Sequence, residues 1–333
     1  VALEEDEDPW VARFADLFPE REDQLTTDDA RGWRYLGSLW RGAMSWYDVV
    51  QVYATYPAIA LAADVPVWTA YEHGTLRDIP FAQDGVGRIT ALGYREAPAV
   101  FVTNADDLDA AARLGVDPTK VVALPHAVDT DKLFAFAAEH RDTDAGRAFF
   151  APARHDWVEG FKTQLKGNDR IVRAVRLLVD RGLGPTVVFV DWGRHAPQTK
   201  ELIAELGVEQ NVRWIQPLTK RALWQAYLDS CAVLDQFVMD VIGGVTFEAM
   251  ALGRRVITAL DVDVNRRFFG EEPPLFGAQS PEEIAAAMQT VLGDPTDNAG
   301  RGRRAQDWVR TYHSSERIVA LQTQVYDRLV HVP

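Results

Sequence analysis

From about residue 148 onward the chain alternates, almost without interruption, between short apolar runs and segments of helical period. No other feature limits its fold as strongly. The runs at 148–153, 186–191, 212–215, 231–237 and 255–260 have the length and apolar content of buried strands. Between them, residues 168–181, 198–206, 220–229 and 244–252 place apolar side chains at helical spacing. A strand, a helix and a second strand in succession build a parallel sheet through a crossover, so the fold class is α/β with a doubly wound sheet. Ser280, Pro281 and Glu283 supply an N-cap, a first-turn proline and a capping carboxylate for one more helix over 284–292.

The front of the chain repeats the pattern in looser form. Apolar runs at 48–53, 65–71, 99–103 and 120–124 read as strands, and Asn104 and Gly115 bracket a helix over 106–114. Before them, Trp10, Phe14, Leu17 and Phe18 predict one amphipathic helix behind an acidic tail. A chain of 333 residues exceeds one domain of typical size. The polar stretch 139–146 has no strand period and several breakers, and it is read as the linker. Two domains follow, residues 1–143 and 144–311, with a final helix over 303–329 and a C-terminal piece at 312–333. Two such α/β units in tandem leave a cleft, where ligands commonly bind.

Charge narrows the partners. The 35 basic and 49 acidic residues give a net −14, and residues 1–150 carry 13 basic against 26 acidic groups. An acidic front half repels nucleic acid and anionic lipid, so a bound phosphate belongs in the second half. No apolar run is long enough for a spanning helix, so no stable membrane insertion is expected. One cysteine, Cys231, in an apolar run reads as core packing and fits a reducing, cytoplasmic setting. The seven histidines have no metal-ligand spacing, and no metal or other cofactor is expected. The acidic triplets at 129–131 and 261–263 are read as ordinary surface charge.

The chemistry concentrates after two strands. Behind the run 148–153 come Arg154, then Lys166 and Gly167 at the end of a loop, then a helix that Asn168 is expected to cap. The carboxyl edge of a parallel sheet with a helix N-terminus favours an anion, and two cations there would orient a diphosphate; the plain alternative is two solvated loop cations. Behind the run 231–237, Asp240 and Glu248 lie eight positions apart around Gly243, Gly244 and Val245. The glycines allow main-chain amides to approach a phosphate at a helix start, and each carboxylate can accept from neighbouring hydroxyls of a ribose or a sugar ring. Trp157 and Trp192 stand on loops that could touch sugar. His73, His126 and His155 are further candidates to line a cleft, and Glu72 beside His73 is either a base or a side chain turned away.

The segment from Asp240 through Gly244, Glu248, Ala249, Met250 and Ala251 to Gly253 resembles the signature of the family 4 retaining glycosyltransferases of the GT-B fold, the group 1 type. Arg154 with Lys166-Gly167, Leu206-Gly207-Val208 with Asn211-Val212, and the stretch from Val102 to Asp129 also resemble that family, so the likeness runs from about residue 97 to the C-terminal end. It implies two Rossmann-like domains facing a cleft, with the first on the acceptor side and the last helix packed back on the first domain. It implies a nucleotide-diphosphate sugar donor, UDP or GDP, held through Arg154, Lys166, Gly167, Gly243, Gly244 and Val245. Glu248 would hold the ribose, Leu218 would lie near the base, and Asp240 would hold the transferred sugar. His73 would stand near the anomeric carbon. Transfer would retain configuration, the leaving phosphate helping to take the proton of a carbohydrate or small-molecule acceptor, without an obligatory metal.

The chain departs from the pattern in having Asp240 where glutamate is usual, His126-Ala127 for asparagine-glycine, and Asp191-Trp192-Gly193 for a glycine-rich turn. It also lacks the family's opening strand and glycine turn before Tyr47. Two other functions fit the same fold: an epimerase acting on its own nucleotide sugar, and a carbohydrate-binding partner subunit without catalysis. A dinucleotide oxidoreductase does not, because no strand leads into G-x-G-x-x-G.

Overall fold

The structure, a computed structural model, describes residues 8–140, 147–159, 165–294 and 298–331. It divides into two compact units, Val1–His126 with Val319–Pro333, and Ala127–Ile318. Both are α/β with parallel sheets.

The first unit opens with two helices, α1 (Pro9–Leu17) and α2 (Thr27–Met44), where the sequence predicts one. Pro19 disfavours helical backbone at Phe18, and a capping box between Thr26 and Asp29 starts the next helix. The elements that follow are β1 (Val50–Tyr53), α3 (Pro57–Ala62), β2 (Trp68–Tyr71), α4 (Gly85–Glu96), β3 (Val100–Val102), α5 (Ala105–Leu114) and β4 (Val121–Ala123). The strands form a parallel sheet in the order β1-β2-β3-β4. Every residue of β2 and β3 is buried, which is why they read as unbroken apolar runs. Gly115 ends α5 in the left-handed region at φ 74°.

In the second unit α6 (Thr130–Glu139) precedes β5 (Ala148–Ala151), α7 (Asn168–Asp180), β6 (Thr186–Val190), α8 (Ala196–Glu205), β7 (Val212–Ile215) and α9 (Lys220–Leu228). Then come β8 (Ala232–Leu234), α10 (Gly244–Ala251), β9 (Val256–Thr258), α11 (Val262–Phe269), β10 (Phe276–Gly277), α12 (Pro281–Gly293) and α13 (Asn298–His313). The sheet is parallel, in the order β10-β9-β8-β5-β6-β7. Alternate side chains serve its two faces. Phe149, Val187, Phe189, Ala232, Leu234 and Ile257 pack with α7, α8 and α12, whereas Phe150, Val190, Val233 and Val256 pack with α6, α9, α10 and α13.

Helix α6 lies ahead of the linker that the sequence suggests, yet it belongs to the second unit. Its Leu133, Phe136 and Ala137 find their partners there, with the Phe136 and Trp224 rings 5.3 Å apart. Periodicity marks an apolar face but does not say which core receives it. Residues 141–146 of that linker lie outside the described residues. The expected single C-terminal helix is also divided, into α13 and α14 (Ser315–Val330). Between them Ser314 bridges Val128, whose N–H donates to His313 O at 2.7 Å and whose carbonyl accepts from Ser315 Oγ at 3.2 Å. From Val319 onward α14 belongs to the first unit, where Gln322 Nε2 and Tyr326 OH meet Gln51 Oε1 at 3.1 and 2.6 Å.

Among the described residues no helix is long and apolar enough to cross a membrane. Burial pushes the Cys231 thiol up to about 11, which leaves it protonated and unreactive. Replacing Phe149 by alanine removes a fully buried ring from the central strand. Guanidinium unfolding is expected to register a loss of about 3–5 kcal/mol.

Candidate functional site

The strand order of the second sheet reverses at β5. From β5 the chain steps to β6 and β7 on one side and later fills β8, β9 and β10 on the other. The loops leaving the carboxyl ends of β5 and β8 therefore lie side by side, at the switch point where open α/β sheets bind ligands. They contain the two groups of residues that the sequence singles out.

In the loop after β5, Arg154 pairs through Nε with Asp156, whose Oδ1 also accepts from Arg194 N and Nε, each at 3.3 Å. Burial raises the Asp156 pKa, but the bonds from Arg154 and Arg194 outweigh it and hold the carboxyl below its ordinary value. The Asp156 carbonyl accepts from Lys166 N at 2.6 Å and so closes the loop's base. Neither Asp156 nor Arg194 stands out in the sequence, because both lie in polar loops.

His155 does not line a cleft. It is buried between the rings of Phe189 and Trp214, and its Nδ1 lies 3.0 Å from Thr199 Oγ1. Burial lowers its pKa to about 4 against the opposing effect of the Val190 carbonyl. Trp157 packs on the same core and donates its indole N–H to Thr199 at 2.8 Å, while Trp192 is half exposed and donates to Pro152 O. Gly193, at φ 106°, allows the neighbouring turn to lie against this loop; a Cβ there would stand 2.3 Å from His155 N. Residues 160–164, including Phe161, lie outside the described residues.

Lys166 is half-buried, and Gly167, rather than Asn168, caps α7 in the left-handed region at φ 72°. Phe237 N donates to Lys166 O at 2.9 Å, which joins the loop after β5 to the loop after β8. Gln236 shapes that second loop: its Oε1 accepts from Val238 N and Met239 N at 3.2 and 2.9 Å. Asp240 accepts from Gln279 Nε2 at 2.6 Å. Gly243 then caps α10 without a side-chain hydrogen bond of its own, and Gly244 and Val245 begin its first turn, the positive end of the helix.

Beneath the turn lies a residue that the sequence reading passes over. Asp235, just beyond β8, is buried, and its Oδ2 accepts from Thr246 Oγ1 at 2.7 Å. It sits inside an apolar run and so reads as strand, although a carboxylate there needs a partner. Glu248, on the second turn of α10, pairs with Lys220 at the start of α9. It also borders a cavity of about 170 Å³ shared with Asp129, Lys132, Trp224 and Phe247. Leu218 is exposed between β7 and α9. The acidic triplets serve as helix caps, Asp129 for α6 and Asp261 for α11.

In the first unit His73 is exposed at a turn after β2, with the His126 ring 5.7 Å away, edge to face. Burial and the His73 charge lower the His126 pKa, Glu72 opposes them, and Arg77 adds to the lowering. Glu72 is turned inward, where it accepts from Thr103 Oγ1 at 3.3 Å, and is not a base at the surface. Burial and the neighbouring Glu72 carboxyl push Asp107 up, against the Arg77 guanidinium 3.3 Å away.

Comparison with known proteins bears on the family and the fold. Residues 160–308 match the family model described as glycosyl transferases group 1. D-inositol 3-phosphate glycosyltransferase of Corynebacterium glutamicum is 27% identical over 209 residues, 59% of this chain and 49% of the relative. Its counterpart in Corynebacterium aurimucosum is 26% identical over 255 residues, 72% of this chain and 59% of the relative. The chain thus spans only half to three-fifths of their length. Anabaena Alr3699/HepE, solved with UDP and glucose, superposes with a TM-score of 0.66 at 16% identity over 89% of this chain and 81% of its own. Sucrose-phosphate synthase of Thermosynechococcus elongatus does so at 0.64 and 17% identity, over 88% and 77%. The fold class is that of the GT-B proteins.

Two outcomes test the geometry. Gly193→Ala, forced into left-handed backbone against His155, is expected to lower stability by at least about 1 kcal/mol in chemical denaturation. His155 has its pKa depressed on folding, so unfolding takes up a proton as pH falls from about 6.5 through about 4. The native protein should lose up to about 3 kcal/mol over that window relative to His155→Gln, measured by unfolding at each pH.

Proposed function

Taking residues 160–308 as a member of the group 1 glycosyl transferases, we propose that the protein moves a sugar from a nucleoside-diphosphate donor to a hydroxyl acceptor with retention of configuration. The observation that carries this reading is the switch point itself. Arg154 and Lys166 lie there beside the N-terminal turn of α10, on loops joined through Lys166 and Phe237. Two cations and a helix dipole form a receptor for a diphosphate and stabilise the charge that gathers on it as it leaves.

In the proposed reaction the bond between the anomeric carbon and the β-phosphate oxygen breaks, and the acceptor oxygen bonds to that carbon on the same face. The acceptor proton passes to the departing phosphate. Arg154 and Lys166 supply the charge that a metal would otherwise supply, so no obligatory metal is invoked. Glu248, reached by exchange of its Lys220 partner, accepts from the ribose hydroxyls, and Asp240 accepts from hydroxyls of the transferred sugar. Trp192 offers a half-exposed indole to a sugar face. The UDP bound in the HepE structure supports uridine as the base.

Thermal unfolding with UDP and GDP reads the choice of base, since a ligand at 100 times its Kd stabilises by about 2.7 kcal/mol. The anomeric configuration of the product, followed by proton NMR, reads the stereochemistry. Lys166→Ala and Glu248→Ala are each expected to reduce turnover about 10²-fold or more, and near-normal kinetics in both would reject the assignment.

A further inference from the structure

We propose that the outer face of α2 is the surface through which two copies of this chain pair, antiparallel, about a two-fold axis. The inference does not depend on the reaction assigned to the second unit.

Helix α2 reverses the usual arrangement of a surface helix, in which the apolar stripe faces the core. Three of its charged side chains turn toward the rest of the first unit. Arg34 donates to Asp8 at 2.6 and 2.7 Å, Arg41 donates to Ala63 O at 3.2 Å and pairs with Asp64, and Asp29 accepts from Arg88 at 3.0 Å. Gly37 lies so close to α3 that a Cβ there would stand 2.4 Å from Ala62 C. The apolar side chains face solvent instead. Tyr35, Leu36, Leu39 and Trp40 keep between 39% and 66% of their surface, and Trp46 and Tyr47, directly after the helix, keep 87% and 70%. Six of the fifteen large apolar side chains exposed among the described residues thus fall within 35–47. Apolar residues scattered singly need no partner, but a block of them marks a contact surface.

At 3.6 residues per turn, Tyr35, Leu36, Leu39 and Trp40 form one stripe about 140° wide, with Gly32 and Ala43 inside it at either end. The stripe reads alike in both directions: small residue, aromatic, leucine, then leucine, aromatic, small residue. Laid antiparallel on a second copy, with the axis between Gly37 and Ser38, it sets Leu36 against the partner's Leu39, Tyr35 against the partner's Trp40 and Gly32 against the partner's Ala43. Large side chains meet at the centre, small ones let the backbones stay close beyond them, and the two helix dipoles oppose. An aromatic side chain offers about 150–250 Å², so the six residues present on the order of 800 Å² per copy, which is what one partner of a stable interface contributes.

A bilayer fits this face less well. A helix lying on lipid carries lysine and arginine along its polar side. Here Arg34 and Arg41 are committed inward, and residues 1–150 hold 13 basic against 26 acidic groups.

Sedimentation velocity over a dilution series tests the pairing. The native chain should sediment as a dimer at micromolar concentration, and Leu39→Glu, which sets a charge across the axis from a leucine, should raise the dissociation constant at least about 10²-fold. If Leu39→Glu loses the native circular dichroism, Tyr35→Glu, at the most exposed position of the stripe, takes its place. A native monomer at every concentration, or a dimer that these variants leave unchanged, overturns the proposal. Leu36→Cys and Leu39→Cys, prepared separately, mixed and oxidised, report the direction of pairing, since the only other thiol, Cys231, is buried. The mixture should yield the disulfide-linked heterodimer in preference to either homodimer; homodimers alone overturn the antiparallel arrangement. A native monomer that cosediments with phosphatidylcholine vesicles would assign the face to lipid and also overturn the proposal.

Discussion

One main-chain hydrogen bond, from the Phe237 amide to the Lys166 carbonyl, joins the two loops on which the rest of the second unit's site depends. It can form because the sheet reverses its order at β5, so that chain segments separated by some seventy residues leave neighbouring strands together. Both partners are then held from behind. Gly167 takes a left-handed conformation against Phe237 and Val238, and Arg170 donates to the Phe237 carbonyl. The cationic loop and the glycine turn are thereby fixed relative to each other before any ligand binds, which avoids an ordering cost at the moment of binding.

The same region shows how a protein can store positive charge without repelling itself. Arg154 and Arg194 share Asp156, and Lys220 pairs with Glu248. Each of these cations has a carboxylate partner, and the carboxylates differ in accessibility. Asp156 is buried between its two partners, whereas the Glu248 and Lys220 pair includes an exposed lysine. Pairing of this kind brings cations together without leaving their charges unopposed.

The sequence makes the architecture of the second unit readable because its strands are short, apolar and separated by well-capped helices. Ser280 and Glu283 close the expected capping box, and Gly253 takes the left-handed backbone expected after α10. Arg154, Lys166, Gly243 and Glu248 are visible because charge and glycine after a strand are conspicuous. Asp235 is hidden by the apolar run that contains it, and Asp156 by a loop rich in charge. His155 is adjacent to Arg154 in sequence, yet the turn that exposes one buries the other, a decision made by Phe189, Trp214 and Thr199 from elsewhere in the chain. The allegiance of α6 and the break at Ser314 are settled by contacts distant in sequence, which periodicity does not encode.

The clasp between Val128 and residues 313–315 brings the beginning and the end of the second unit to a common seam. The polypeptide enters and departs there as a matched pair of threads, and everything between them is tied off as a closed loop of chain. Strain applied at either thread would be met first by this small parallel bridge, and the sheet that carries the site would be sheltered behind it.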